Sequence, residues 1–377
     1  MSALRDETPR AAATGDGACA LAAWLLTGPA QLTHGPEAGA VAGTLDAGGA
    51  AAYVYPEITG YYLQWLAWQA ACHGAEGGLA ARAAAAQRWL ARWVEASTPP
   101  ATRLYLAPAP ADWRNGATFL FDVAMVVRGL ASASRLRLVE PDPALVRALV
   151  RELRGLVAAD GAFAACAPRA PDVVLPVRWS TQRGAFLAKA AAGIIDAAPV
   201  LPGIPDDVVA AAEATYAGSL DALAAAPHPE VHPLLYAFEG TLSLPAHPRC
   251  AAILPRVAAQ FDALLALAQA GDGVPESVAA DAPAVRRVDV VAQALRVGIC
   301  LDLHLPERPR DRGALARLAR TLVEQVVPGH GLPFAQGGAT APANVWATMF
   351  AEQALALASP APPGRTRAGA DTARLLV

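Results

Sequence analysis

Apolar residues recur at three-to-four spacing through most of this chain, and period-two alternation is nearly absent. That pattern lines one face of a helix and cannot line one face of a strand, so it restricts the fold to packed helices. The breaks fall at clusters that stop helices: Ser97-Thr98-Pro99-Pro100, Pro141-Asp142-Pro143, Pro199 to Pro205, Pro227 to Pro229 and Pro306 to Pro309. Cutting there predicts helices over 17–26, 57–73, 77–96, 116–134, 142–158, 179–197, 205–225, 231–245, 248–271, 285–304, 311–327 and 342–358.

A polar or aromatic cluster stands near the start of every second helix. Taking Glu57, Asn115, Trp179, His232, Asp289 and Asn344 as markers, the steps are 58, 64, 53, 57 and 55 residues. A helical hairpin with its loops occupies about that length. Five hairpins start at these markers, and the unpaired helix 17–26 is left to lie beside the last one. The expected fold is all-α, an α/α toroid of about six helical hairpins, with an open solenoid as the alternative. In domain terms this is a flexible leader over 1–16, one toroid domain over 17–358 and a loose tail over 359–377.

Composition narrows the function classes. At 54% apolar and 17% charged, the 377-residue chain can bury a large core and is not a disordered polymer. Thirty basic against 33 acidic residues give a net charge of −3. Without a dense Arg/Lys run, neither nucleic acid nor an anionic membrane is an expected partner. No apolar run reads as a membrane span. The five cysteines are scattered without CxxC spacing, which fits a reduced cytoplasm and neither structural zinc nor a disulfide framework. HExxH, EF-hand, Walker and GxGxxG patterns are missing, so no metal and no cofactor are expected.

The candidate chemistry lies in the recurrent clusters. In Val54-Tyr55-Pro56-Glu57-Ile58-Thr59-Gly60-Tyr61-Tyr62, Pro56 starts a helix and puts Glu57 in its first turn, as a helix charge or a catalytic carboxylate. Asp46, on a Gly-rich approach, is a turn former or a second catalytic acid. Asp122 lies about two turns beyond Asn115, which follows Trp113, and as a buried carboxylate it is expected to meet an arginine. Arg178-Trp179-Ser180-Thr181-Gln182-Arg183 offers two guanidinium groups for an anionic substrate, or simply caps a helix. Lys189, the only lysine, is expected on the surface rather than inward. His232, Tyr236 and Glu239 share one helix face, as a proton-transfer set or around a core histidine. Arg287 and Asp289 open a further polar face with Gln293 and Arg296. Asn344 and Trp346 start the last helix after Gly337-Gly338, a candidate lid.

The segments Tyr55-Pro56-Glu57-Ile58-Thr59-Gly60-Tyr61, Phe121-Asp122, Arg178-Trp179-Ser180-Thr181, His232 to Gly240, Asp289 to Arg296 and Asn344 to Ala354 resemble a family of bacterial α/α-toroid proteins from polysaccharide and secondary-metabolite gene clusters. The resemblance covers about residues 40 to 358. It implies a fold related to six-hairpin glycosidases and uronate epimerases. It extends to the aziridine-forming proteins of azinomycin-type pathways, which expel sulfate and work with a small partner protein.

Two catalytic readings and one non-catalytic reading follow. The first is a cofactor-free cytoplasmic enzyme of natural-product biosynthesis, performing elimination or ring closure on a small anionic substrate, free or carrier-bound; its specific form is aziridine formation with loss of sulfate. Glu57, Asp46 or Asp122 would take the proton, and Arg178, Arg183 and Arg287 would receive the leaving group. The alternative is a carbohydrate-active epimerase, lyase or hydrolase acting through His232 and Tyr236 or through two carboxylates. In either reading Tyr55, Tyr61, Trp113, Asn115, Arg178, Trp179, Arg183, Glu239, Arg287, Asp289, Asn344 and Trp346 would contact the substrate. The third reading is a scaffold that docks a carrier or a small protein partner.

Overall fold

The computed structural model describes residues 7–96, 100–109, 111–226, 229–269, 273–277, 287–336, 341–360 and 369–377. Thirteen helices carry the described chain: α1 (Glu7–Thr27), α2 (Pro56–His73), α3 (Leu79–Ala96), α4 (Leu120–Arg135), α5 (Pro143–Arg154), α6 (Leu187–Ala197), α7 (Asp206–Ala225), α8 (Val231–Ser243), α9 (Pro248–Gln269), α10 (Val288–His304), α11 (Arg312–Val323), α12 (Val345–Ala358) and α13 (Gly369–Arg374). Strand is confined to three two-stranded antiparallel pieces. These join β1 (Thr44–Leu45) to β6 (Ala343–Asn344), β2 (Tyr53–Val54) to β3 (Leu104–Tyr105), and β4 (Ala117–Phe119) to β5 (Cys166–Pro168).

The chain divides into two compact units. The amino-half unit comprises Gln31–Gly43, Ala51–Ala226 and Val377; the carboxyl-half unit comprises Met1–Ala30, Thr44–Ala50 and Pro227–Leu376.

In the amino-half unit α2, α4 and α6 lie side by side, with α3 on α2, α5 on α4 and α7 on α6. The even-numbered helices are buried nearly all round: in α2 every residue from Ile58 to Ala70 is buried. The odd-numbered ones are amphipathic; α5 buries Leu145, Val146, Leu149 and Leu153 and exposes Arg147 and Arg151. Asp142 caps α5 by accepting from the Ala144 N–H, with Pro143 at its first position. Helices α2 and α4 cross at glycines. A Cβ at Gly60 would stand 2.6 Å from the Met125 carbonyl oxygen, and one at Gly129 would stand 2.1 Å from the Gly60 oxygen. Only glycine permits that approach.

In the carboxyl-half unit α10 packs between α12, α8 and α11, and α1 lies against α12, the pairing the unpaired first helix called for. Asn344 caps α12 through the Ala347 N–H, and Asp311 caps α11 through the Ala314 N–H.

Four expectations need correction. Helix α1 begins at Glu7, inside the segment read as a flexible leader, because the Ala-rich run continues the helix that packs on α12. The tail contains α13, which packs on α8 and α10; Leu375 and Leu376 are buried and Gln353 donates to the Leu375 oxygen at 2.9 Å. The helices expected from 116 and 179 start later, at Leu120 and Leu187. Strand β4 occupies Ala117–Phe119, and Trp113–Gly116 and Trp179–Thr181 form short 3-10 turns. Finally, among the described residues α9 is long and apolar enough to cross a membrane, although Pro255 lies inside it. Its Val257, Phe261 and Leu264 are buried within this unit, Phe261 packing edge-on to Phe238.

Candidate functional site

In the amino-half unit two acids stand at the starts of neighbouring inner helices. Tyr55 and Pro56 set the start of α2, which places Glu57 in its first turn; Asp122 occupies the first turn of α4. The glycine crossing holds the two helix starts together, and Tyr55 spans them. Its hydroxyl lies 3.1 Å from Asp122 Oδ1 and is also hydrogen-bonded to Glu57, which takes a second hydrogen bond from Tyr61. A hydroxyl can donate to one carboxyl and accept from another, so the bridge suits a pair in which one member is protonated.

The electrostatics point the same way. Burial, reinforced by the charge of Glu57, pushes Asp122 well above the ordinary carboxyl range. Its Oδ2 is buried without a hydrogen-bond partner, which adds to the cost of ionising it. Burial also raises Glu57, but Tyr55, Tyr61, Lys189 and Arg103 oppose that rise. Asp122 is therefore pushed up further than Glu57, whose neighbours favour its charged form. Burial, aided by both acids, holds Tyr55 well above its usual range, so it remains a phenol.

Arginine and aromatic groups frame the pair. The Arg103 guanidinium lies 4.7 Å from the Tyr53 ring centre and 5.6 Å from that of Tyr55, and meets Asp112 at 3.4 Å. Asn115 fixes the backbone of Arg103: its Oδ1 accepts from the Arg103 N–H at 2.7 Å and its Nδ2 donates to the Arg103 oxygen at 2.8 Å. Arg114 lies 4.8 Å and Arg178 5.9 Å from the Trp113 ring centre. Arg114 is paired with Asp112, whereas Arg178 is exposed.

In the carboxyl-half unit Asp289 stands at the start of α10 and Glu239 in the middle of α8, and arginines hold both. Asp289 receives Arg287 at 2.5 Å and the Trp346 indole N–H at 3.2 Å. Burial opposes its charge, but Arg287 and the Trp346 indole N–H outweigh this and hold it below the usual range. Fully buried Arg296 binds Glu239 at 2.5 Å and Gln353 at 2.8 Å. His232 Nδ1 lies 2.5 Å from Gln293 Oε1, and its ring lies 4.3 Å from that of Tyr236. Burial and then Arg287 depress His232 to about 3, so it is neutral at physiological pH.

No protein-family model and no curated protein matches the sequence. Solved structures do match in fold. A cellobiose 2-epimerase from Spirochaeta thermophila aligns at TM-score 0.65 and 14% identity over 95% of this chain and 98% of its own. A D-mannose isomerase aligns at 0.66 and 12% identity, covering 92% and 96%. An unsaturated glucuronyl hydrolase specific for heparin aligns at 0.59 and 11% identity, covering 92% and 96%. The chain has the α/α-toroid fold.

Placed on this toroid, several residues singled out in the sequence have local structural partners. Asp46 closes a turn, accepting from the Gly48 and Ala50 N–H groups at 2.9 Å each. Asn344 caps α12, and Asn115 pins Arg103. Arg183 is held by Asp160 and by the Phe163 and Ala162 oxygens. Trp179 lies edge-on to Phe186 at 5.0 Å. Asp122 pairs with a phenol where an arginine was expected, and Arg103 supplies the nearby positive charge. Gly337 and Gly338 lie outside the described residues. The sequence reading missed Tyr53, on the short strand β2, and Arg103, just before β3, and placed Lys189 on the surface, whereas it is fully buried. Its position inside the apolar run from Ala185 to Ile195 was the available signal.

Proposed function

We propose that the chain is a carbohydrate-active enzyme working by general acid/base catalysis, with Glu57 as base and Asp122 as acid, on a sugar carrying an anionic group such as a uronate. The Tyr55-bridged acid pair carries the reading. It supplies one ionised and one protonated carboxyl side by side, which is what proton abstraction from a sugar carbon or protonation of a glycosidic oxygen requires. The rings of Tyr53, Tyr55 and Trp113 suit the apolar faces of a sugar, and Arg103 and Arg178 suit a carboxylate. The names of the similar structures, sugar epimerases, an isomerase and a glucuronyl hydrolase among them, support a carbohydrate substrate. They lend no support to aziridine formation with loss of sulfate.

The test is incubation in D2O with neutral aldoses, cellobiose, glucuronate, galacturonate and unsaturated uronyl disaccharides, followed by proton NMR. Solvent deuterium at a carbon would mark epimerase or isomerase chemistry, and a new reducing end would mark hydrolysis. In either case Glu57→Gln should lower the rate about 10²- to 10⁴-fold. Turnover of none of these sugars, or full activity in Glu57→Gln, would overturn the proposal.

A further inference from the structure

Lys189 is the only lysine in the sequence and is fully buried on α6. A lysine almost never gives up all contact with water unless something replaces its hydration. Here its Nζ donates to the Val377 oxygen at 2.8 Å and lies 5.1 Å from the Tyr61 ring centre. Tyr61 is the residue whose side chain is hydrogen-bonded to Glu57. A buried ammonium, an aromatic face and a carboxyl are thus connected in sequence. This cation is not needed to cap a helix: it lies in the first turn of α6, the end where the helix dipole disfavours positive charge.

We infer that Lys189 is a positioning residue for Glu57, a buried charge that keeps Glu57 as the ionised member of the acid pair while Asp122 retains the proton. The inference deepens the acid/base reading above and rests on it for its catalytic meaning. Its electrostatic content stands alone.

The surroundings of Glu57 show why a dedicated cation matters. On α2 it faces Tyr55 and Tyr61; from α4 comes Asp122, whose charge would repel it; from the β3 segment comes Arg103; and from α6 comes Lys189. Helix α3 presents Arg82 to Tyr62 and Gln31 instead. Of the two cations, Arg103 is partly exposed and shared with Asp112. Lys189 is shared with the Val377 oxygen but is fully buried, where charge is screened least. Burial alone raises both acids. A buried positive charge beside one of them breaks the symmetry and decides which becomes the base.

Because the chain has one lysine, selective ¹³Cε-lysine labelling gives one side-chain resonance to follow with pH, with no substrate needed. Reciprocity requires that if Lys189 lowers the proton affinity of Glu57, the Glu57 charge raises that of Lys189. The Lys189 titration midpoint should fall by about one unit or more in Glu57→Gln relative to wild type. In parallel, ¹³C-carboxyl glutamate labelling should show the Glu57 midpoint rising by about one unit or more in Lys189→Met and staying near wild type in Lys189→Arg. The Glu57 signal is identified by its loss in Glu57→Gln. Should Lys189→Met not fold, the first titration decides. An unchanged Lys189 midpoint in Glu57→Gln overturns the inference, as does an unchanged Glu57 midpoint in a folded Lys189→Met protein. If both midpoints move but no sugar is turned over, the carbohydrate proposal fails and the electrostatic role stands.

Discussion

In the amino-half unit Glu57 and Asp122 meet through a phenol, and burial raises both above the ordinary carboxyl range. In the carboxyl-half unit Asp289, in the first turn of α10, and Glu239, in the middle of α8, each meet a guanidinium. The residue types are alike, Glu57 is half-buried where the other three acids are buried, and the partners differ. A hydroxyl satisfies a carboxyl in either protonation state, so the first pair can gain and lose a proton. An arginine stabilises only the ionised form, so the second set stays charged and acts as mortar. On the proposed reading, the difference separates a chemical site from a structural one, with His232 held neutral among these ion pairs.

The largest effect is expected in the carboxyl-half unit. Glu239→Gln leaves the fully buried Arg296 without its counter-charge, and breaking such a pair costs about 3–5 kcal/mol. Urea unfolding at neutral pH measures this. The double variant Glu239→Met/Arg296→Met should recover most of the loss, since no charge is then stranded. A loss below about 1 kcal/mol in Glu239→Gln would mean that the network is not structural and would erase the contrast.

The pH dependence of stability should have opposite signs in the two units. Asp122 has a raised folded-state pKa, so the native state holds a proton that the unfolded chain gives up near pH 4. The stability it contributes is complete below that pH and is lost as pH rises towards the folded pKa, by at most about 1.4 kcal/mol per pH unit. Asp122→Asn, which cannot ionise, should lack this slope, so its stability should gain on wild type as pH rises above 4. Asp289 has a lowered folded pKa, so its contribution is present above about pH 4 and is lost as pH falls through the folded value. Asp289→Asn should therefore flatten only the acid limb. Melting temperatures across pH 2 to 9 for the three proteins test both signs, and parallel curves would refute the distinction.

How much of this was legible in the sequence follows from the range over which each interaction acts. Helices, their breaks and the recurrence of polar starts are local, so Glu57, Asp122 and Asp289 fell where their first-turn positions implied. The partners were not legible. Glu239 and Arg296 are 57 residues apart, and Tyr55 and Asp122 are 67. Only packing of neighbouring inner helices joins them. Asp122 therefore looked like half of an ion pair, and Lys189 like a surface residue. Trp179 marked a hairpin correctly in spacing but stands eight residues before α6, because the intervening turn carries no apolar period to read.

The smallest effect concerns the rim of the acid pair. Arg178 is exposed beside Trp113 and contributes nothing that folding requires, so Arg178→Ala should leave stability within about 0.5 kcal/mol of wild type. In the proposed function it meets a substrate carboxylate. A charge-assisted hydrogen bond at such a site is worth roughly 1.5–3 kcal/mol, or about 10- to 100-fold in kcat/KM. That loss should appear with a uronate and not with the neutral sugar of the same configuration, and Arg178→Lys should restore part of it. Equal loss on both substrates would make Arg178 a support for the Trp113 ring rather than a reader of charge. No loss on either would place the anionic group elsewhere, against Arg103, and leave the acid pair itself untouched.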